Sequence, residues 1–182
     1  MEEENNTLEF KEKMEQIAEH ANWNKYLALT TAIIAVVAAI ASLMSGSYAN
    51  EAVLQKNDAI LNQSKASDQW NYYQAKGIKK ALADEFYQQT MDQQQKKSSE
   101  KYAKEQKQIQ NQATEYEKKV KEANDKSDHL FDKHHKEALA VTFFQIAIAL
   151  SAMSALLRRK SFWVFSILTS AIGGIFFTVG LL

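Results

Sequence analysis

The chain has 182 residues, of which 22 are basic and 22 acidic, so its formal net charge is zero. The two signs are interleaved, which excludes a nucleic-acid-binding patch. With no cysteine it can form no disulfide, thiolate metal site or thiol nucleophile, and with no proline nothing in its interior forces a helix to stop.

The mean hydropathy of -0.41 is that of a soluble domain, but it averages two populations. Residues 27–48, 138–157 and 162–182 contain no Asp, Glu, Lys, Arg or His. At about 1.5 Å per helical residue, each run matches a hydrocarbon core of roughly 30 Å. The expected fold is an all-α membrane protein with three transmembrane helices, the first two extended into a long extramembrane antiparallel coiled-coil-like hairpin.

Residues 1–25 read as a cytoplasmic amphipathic helix or tail. Phe10, Met14, Ile17 and Ala21 share a helical face, and Asn6 with Glu9 has the spacing of a capping box. Seven acids against three lysines make adhesion to anionic lipid the weaker expectation here, and self-association or a protein partner the stronger. The same acidity, and an apolar run of 22 residues, argue against a cleaved signal peptide even though Ser47, Tyr48 and Ala49 resemble a cleavage site.

Residues 26–48 are transmembrane helix 1, with small residues Ala38, Ser42 and Gly46 at four-residue spacing. Such stripes let helices approach closely. Residues 49–137 follow as the helical hairpin, with its tip expected near 93–100, a stretch without apolar residues that offers Ser98 or Ser99 as a helix N-cap. The second arm carries a seam of Ile109, Ala113, Tyr116, Val120, Ala123, Ser127 and Leu130, alternating by four and three. The first arm is expected to answer it with Leu54, Leu61, Ala75, Ile78, Leu82 and Phe86, interrupted by Asn57, Ser64, Asp68 and Asn71. Trp70, Tyr73 and Gly77 fall on one face, with Tyr72 beside it and Asp68 and Lys76 flanking it. Asp68, Trp70, Tyr72, Tyr73 and Lys76 are therefore the expected interaction residues, either within the hairpin or between subunits. Near the end of the second arm, Asp125, Asp128, His129, Asp132 and His135 can share a helical face. These are weak candidates for a divalent metal, against the alternative of a solvated face.

Residues 138–157 are transmembrane helix 2, striped with Ala147, Ser151 and Ala155, and residues 162–182 are transmembrane helix 3, striped with Ser166, Ser170, Gly174 and Thr178. Between them, residues 158–161 form a short loop whose Arg158, Arg159 and Lys160 mark it as cytoplasmic. That orientation places the N-terminus inside, and the hairpin and C-terminus outside. Thr30, Thr31, Thr142, Gln145, Thr169 and Thr178 are the polar residues available to line a pore, but threonine commonly bonds its own helix. The spans lack the ionisable residue that a proton relay or ion-coupled carrier needs.

Two pieces are more specific than periodicity requires: Ala49-Asn50-Glu51-Ala52-Val53-Leu54, and Ala66-Ser67-Asp68-Gln69-Trp70-Asn71-Tyr72-Tyr73-Gln74-Ala75-Lys76. With the alanine-rich first span and the two closing spans, they resemble the bacterial membrane family called domain of unknown function 4337. The resemblance covers most of the chain. It implies a helical protein of the bacterial inner membrane and carries no activity, cofactor or catalytic residue. No nucleophile paired with a base and no glycine-rich phosphate loop is present, so an enzyme is not expected. The expected function is structural or scaffolding, through self-assembly by the hairpin and the small-residue faces. The alternative is a channel or an accessory subunit of a transport complex, and third comes a receptor that binds a partner at the hairpin tip. The expected partners are membrane lipid, further copies of the chain, and a protein at the tip or the N-terminal helix.

Overall fold

A computed structural model describes the backbone of residues 2–181 and the side chains of residues 10, 11, 13, 14 and 23–181. Among these residues the chain is all-helical: α1 (Glu2–Thr90), α2 (Gln93–Leu157) and α3 (Lys160–Leu181). Each contains a stretch long and apolar enough to cross a membrane. Two compact units result, one from Met1–Tyr48 with Asp132–Leu182, the other from Ala49–Phe131.

In the first unit α1, α2 and α3 surround a core of Ile34, Ala38, Ala41, Ala140, Phe144 and Ala147. The side chains on the inner face of α1, Ile34, Ala38, Ala41 and Ser45, alternate by four and three. The stripe of Ala38, Ser42 and Gly46 is therefore corrected. Ser42 and Gly46 are exposed, and a Cβ built on Gly46 would meet nothing within 4 Å. A fixed step of four advances about 40° per step around the helix, whereas alternating three and four nearly holds a face. The same drift applies to α3, whose buried residues are Ser166, Gly173 and Gly180. Ser170 and Gly174 are half-buried and Thr178 exposed. On α2, Ala147 and Ser151 are buried and Ala155 is exposed.

In the second unit the seam expected on α2 faces inward: Ile109, Ala113, Ala123 and Ser127 are buried, and Tyr116, Val120 and Leu130 half-buried. The arm of α1 is another matter. Its buried residues are Ala52, Ala59, Ala66 and Ala83, and half-buried Gln55, Asn62, Gln69, Tyr73, Lys76 and Lys80 fill the intervening positions at alternating steps of three and four. Leu54, Leu61, Ile78, Leu82 and Phe86 are 49–64% exposed, and Ala75 is also exposed. Two residues separate Ala52 from Leu54 and Ala59 from Leu61, about 200° of helix. Leu54 and Leu61 thus point away from α2, whereas Leu82 and Phe86 flank the contact and line a shallow groove with Gln95, Ser98 and Tyr102 of α2. The inner face is built from alanine because small side chains let two backbones approach.

The chain reverses at Met91 and Asp92 rather than at 93–100, all of which is helical. Met91 takes a left-handed conformation with φ 56°. Asp92 is the N-cap of α2, its carboxylate accepting the amide of Gln94 at 2.9 Å and its carbonyl that of Gln95 at 3.0 Å. Ser99, expected as a cap, is instead buried within α2. The second reversal uses the same device, Arg158 with φ 54°. Of the amphipathic N-terminal face, Phe10 and Met14 are exposed, while Ile17, Ala21, Asn6 and Glu9 lie outside the described side chains.

Candidate interaction site

The expected interaction residues gather where α1 meets α2 in the second unit. The indole N–H of Trp70 donates to Glu117 Oε1 at 2.8 Å, and its ring meets Tyr73 edge-on with centroids 5.5 Å apart. Gln106 on α2 reaches back to the carbonyl of Tyr73 at 3.2 Å. Gly77 makes room for that bond, since a Cβ there would lie 2.7 Å from Gln106 Nε2. One turn along, Lys76 pairs with Glu105 at 2.6 Å, its ammonium 5.1 Å from the Tyr72 ring centroid and 5.4 Å from that of Tyr102. Glu105 holds this ammonium above the usual lysine value, with help from Tyr72, and the lysine holds the Glu105 carboxyl below the usual carboxylate value. Trp70, Tyr72, Tyr73 and Lys76 therefore form one polar and aromatic clamp. Asp68 is exposed and outside it.

Further contacts set the register of this pair. The hydroxyl of the fully buried Ser127 donates to the carbonyl of Ala52 at 2.9 Å, and Lys56 reaches Asn124 at 2.8 Å. Partner numbers rise on one helix as they fall on the other, so the helices run antiparallel.

In the first unit the polar side chains also serve packing. Ser166 donates to the carbonyl of Ala147 at 2.8 Å, so the 2.7 Å contact between hydroxyls has Ser151 donating to Ser166. Thr30, Thr31, Thr142, Thr169 and Thr178 donate to carbonyls of their own helices. Thr30 also accepts the indole N–H of Trp163 at 3.1 Å. His134 Nδ1 lies 2.9 Å from both the hydroxyl and the carbonyl oxygen of Ser45, and because a carbonyl only accepts, Nδ1 carries the proton. Gln145 is exposed on its span. An open groove of about 500 Å³ lies between α1 and α2, lined by Leu27, Thr31, Ala35, Ser151 and Ala155 among others.

Sequence reasoning missed Glu137, which has no exposed surface and no hydrogen-bond partner for either carboxylate oxygen among the described residues. No periodicity announces it, because the contact is made by Gly180 on α3, where a Cβ would lie 2.5 Å from Glu137 Oε1.

Asp125, Asp128, His129, Asp132 and His135 are all exposed. The described residues contain no group of three or more His, Asp or Glu side chains placed to hold a metal ion. Spacing of three and four put these residues on one face, but it did not converge their donor atoms on a point. Arg158 and Arg159 are exposed in the turn before α3, where Ser154 donates to the Arg159 carbonyl at 2.8 Å, and Lys160 opens α3.

No curated protein and no solved structure matches the chain significantly. The family described as domain of unknown function (DUF4337) matches residues 23–182, which takes in both packed units and the two pieces around Glu51 and Trp70, and the chain belongs to that family.

Proposed function

We propose that the protein is a structural or scaffolding component of the bacterial inner membrane that assembles with further copies of itself. The observation that carries this reading is the outward side of α1 in the second unit, where Leu54, Leu61 and Ile78 are each more than half exposed, with Leu82 and Phe86, about half exposed, at its edge beside α2. The seam that joins α1 to α2 runs through Ala52, Ala59 and Ala66, so Leu54 and Leu61 are left without a partner on it. Large apolar side chains in a segment otherwise rich in Lys, Glu and Gln favour burial, each by about 1.5–3 kcal/mol when fully covered. A second copy offers the same face, and a two-fold pairing buries it on both sides at once. Gln145, exposed on its span, supports the reading, since a polar side chain at that depth gains a hydrogen bond only across helices.

In this reading the antiparallel pair of residues 49–131 is a coiled coil on the outer side of the membrane, Arg158, Arg159 and Lys160 lie on the cytoplasmic side, and lipid surrounds the spans. No catalytic step is assigned. The alternative of a channel requires Thr142 and Gln145 to line a common axis in the oligomer, and the bonding of Thr142 to its own backbone weighs against it.

The test is the subunit count of the whole chain extracted in detergent or lipid nanodiscs, by native mass spectrometry. An oligomer that Ile78→Glu with Leu82→Glu reduces, while helix content holds, supports the assembly. A monodisperse monomer overturns it. Conductance in planar bilayers that is lost with Gln145→Leu would replace it with the channel. Labelling a cysteine placed at Lys97 from outside intact cells tests the orientation, and protection there reverses it.

A further inference from the structure

Glu137 is the residue immediately before the apolar run 138–157, and in the first unit it is wholly covered. Both of its carboxylate oxygens are buried without a partner among the described residues. Its near neighbour across the helix contact is Gly180, the last of the three buried residues on α3; a Cβ there would stand 2.5 Å from Oε1 and 2.9 Å from the carboxyl carbon. Glycine is therefore what allows α3 to close over the acid.

The ionisable groups around it leave the acid alone. On α2, His134 is engaged with Ser45. The ammonium of Lys133 sits 5.9 Å from the ring centroid of Tyr48 on α1, and Lys136 forms no ion pair with the acid. Beyond Lys160 at its start, α3 has no ionisable side chain through Leu181. An ionised carboxylate here would be a buried charge with nothing to offset its lost hydration. Burial pushes the Glu137 carboxyl above the usual carboxylate value.

We propose that Glu137 is a proton-binding site in the contact between α2 and α3, which the carboxyl enters as the neutral acid, so that the last turns of α3 close on α2 only while that proton is held. The proton comes from and returns to water. With α3 displaced, the side chain is hydrated and ionises near the ordinary glutamate value of about 4.3. Closure above that pH therefore takes up one proton. The sign follows: the closed contact is fully favoured below the value of the displaced form and is lost as pH rises through the higher value of the closed form.

The test uses the whole chain in lipid nanodiscs. Because it has no cysteine, spin labels at Ser47→Cys and Leu181→Cys are specific, and both positions are exposed. Pulsed electron resonance is expected to give a single distance below the ordinary glutamate value of about 4.3, and a second population that grows as pH rises, with a midpoint above that value. The infrared carbonyl band of a protonated acid is expected to vanish with the same midpoint. Glu137→Gln should lack that band and keep the single distance throughout, while Gly180→Ala should show the second population already at the low-pH end of the titration. A band that titrates near 4.3, or that vanishes without any change in distance, overturns the proposal. So does a distance transition that survives in Glu137→Gln and disappears in His134→Gln. If Glu137→Gln does not fold, the infrared and distance titrations of the otherwise unmodified chain decide.

Discussion

Lys76 of α1 and Glu105 of α2 meet at 2.6 Å, with 13% and 29% of their side chains exposed and the rings of Tyr72 and Tyr102 near the ammonium. Two opposite charges held at a helix–helix contact by aromatic walls lose less to solvent than a free surface pair. Each partner favours the charged form of the other. Glu105, lowered in the folded chain, contributes stability that is present above the ordinary carboxylate value and is lost as pH falls through the folded value. Lys76, raised, contributes stability that is present below the ordinary lysine value and is lost as pH rises past the folded one. Thermal unfolding followed by circular dichroism is expected to show the chain losing stability below about pH 4 more steeply than Lys76→Met does. Parallel curves for the two proteins would show that the pair is not linked to folding.

The reversal between α1 and α2 rests on Asp92, whose carboxylate takes the amide of Gln94 and whose carbonyl takes those of Gln95 and Lys96. Asp92→Ala removes the side-chain part of this cap and is expected to cost about 1 kcal/mol. Met91→Gly should act in the opposite direction. A side chain in the left-handed region costs roughly 1–2 kcal/mol, and glycine removes that cost while adding freedom to the unfolded chain, for a net gain of about 0.5 kcal/mol. Denaturant midpoints that move in the same direction for both variants would contradict this account.

How much of this was legible in the residues depended on which property marks an inner face. On α2 the marker is apolarity, and Ile109, Ala113, Ala123 and Ser127 lie inward as their spacing indicates. On α1 the marker is smallness. Ala52, Ala59 and Ala66 are buried while the larger Leu54 and Leu61 are not, so a hydrophobic pattern selects the wrong side. The capping signal was present as Asp92 with Gln95 three residues on, but the apolar-free stretch after it was the louder one. Trp70, Tyr72, Tyr73 and Lys76 drew attention by composition, and all but Tyr72, which sits against Lys76, meet α2; the partners Glu117, Gln106 and Glu105 could not be read, because pairing across the turn depends on where the turn falls. Glu137 against Gly180 had no local signal at all.

Two glycines with similar crowding should respond differently to alanine. At Gly77 the obstructing atom is the amide end of Gln106, 2.7 Å from the new Cβ, which can swing away at the cost of its bond to Tyr73. That loss of about 1 kcal/mol is offset by the roughly 1 kcal/mol better helix propensity of alanine. Gly77→Ala is therefore expected to be nearly neutral. At Gly173 the new Cβ meets the Phe144 ring at 3.0 Å and the Ala140 carbonyl oxygen at 3.2 Å. Phe144 is in the core and a carbonyl oxygen cannot turn aside, so overpacking of about 1–3 kcal/mol exceeds the propensity gain. Gly173→Ala should lower the melting temperature of the detergent-solubilised chain, while Gly77→Ala leaves it within experimental scatter.

The two faces of α1 in the second unit separate folding from assembly. Ala59 and Ala66 are 3% and 0% exposed, against α2. Ala66→Leu adds three carbons where the backbones approach closely, and it is expected to destabilise the helix pair by about 1–3 kcal/mol, read as a lower urea midpoint. Leu61 is half exposed and lies about 200° around α1 from buried Ala59. Leu61→Gln should leave the urea midpoint of the dissociated chain nearly unchanged, because the position lies off the inner face and leucine and glutamine have similar helix propensities. It should raise the protein concentration at which sedimentation shows half of the chains assembled. The magnitude follows from the apolar surface removed, about 1–2 kcal/mol per copy and so about 2–4 kcal/mol per two-fold pair, or roughly 30- to 700-fold in that concentration. If Leu61→Gln lowers the urea midpoint as Ala66→Leu does, and leaves assembly untouched, the outward residues belong to the fold of a single chain and the assembly must use another surface.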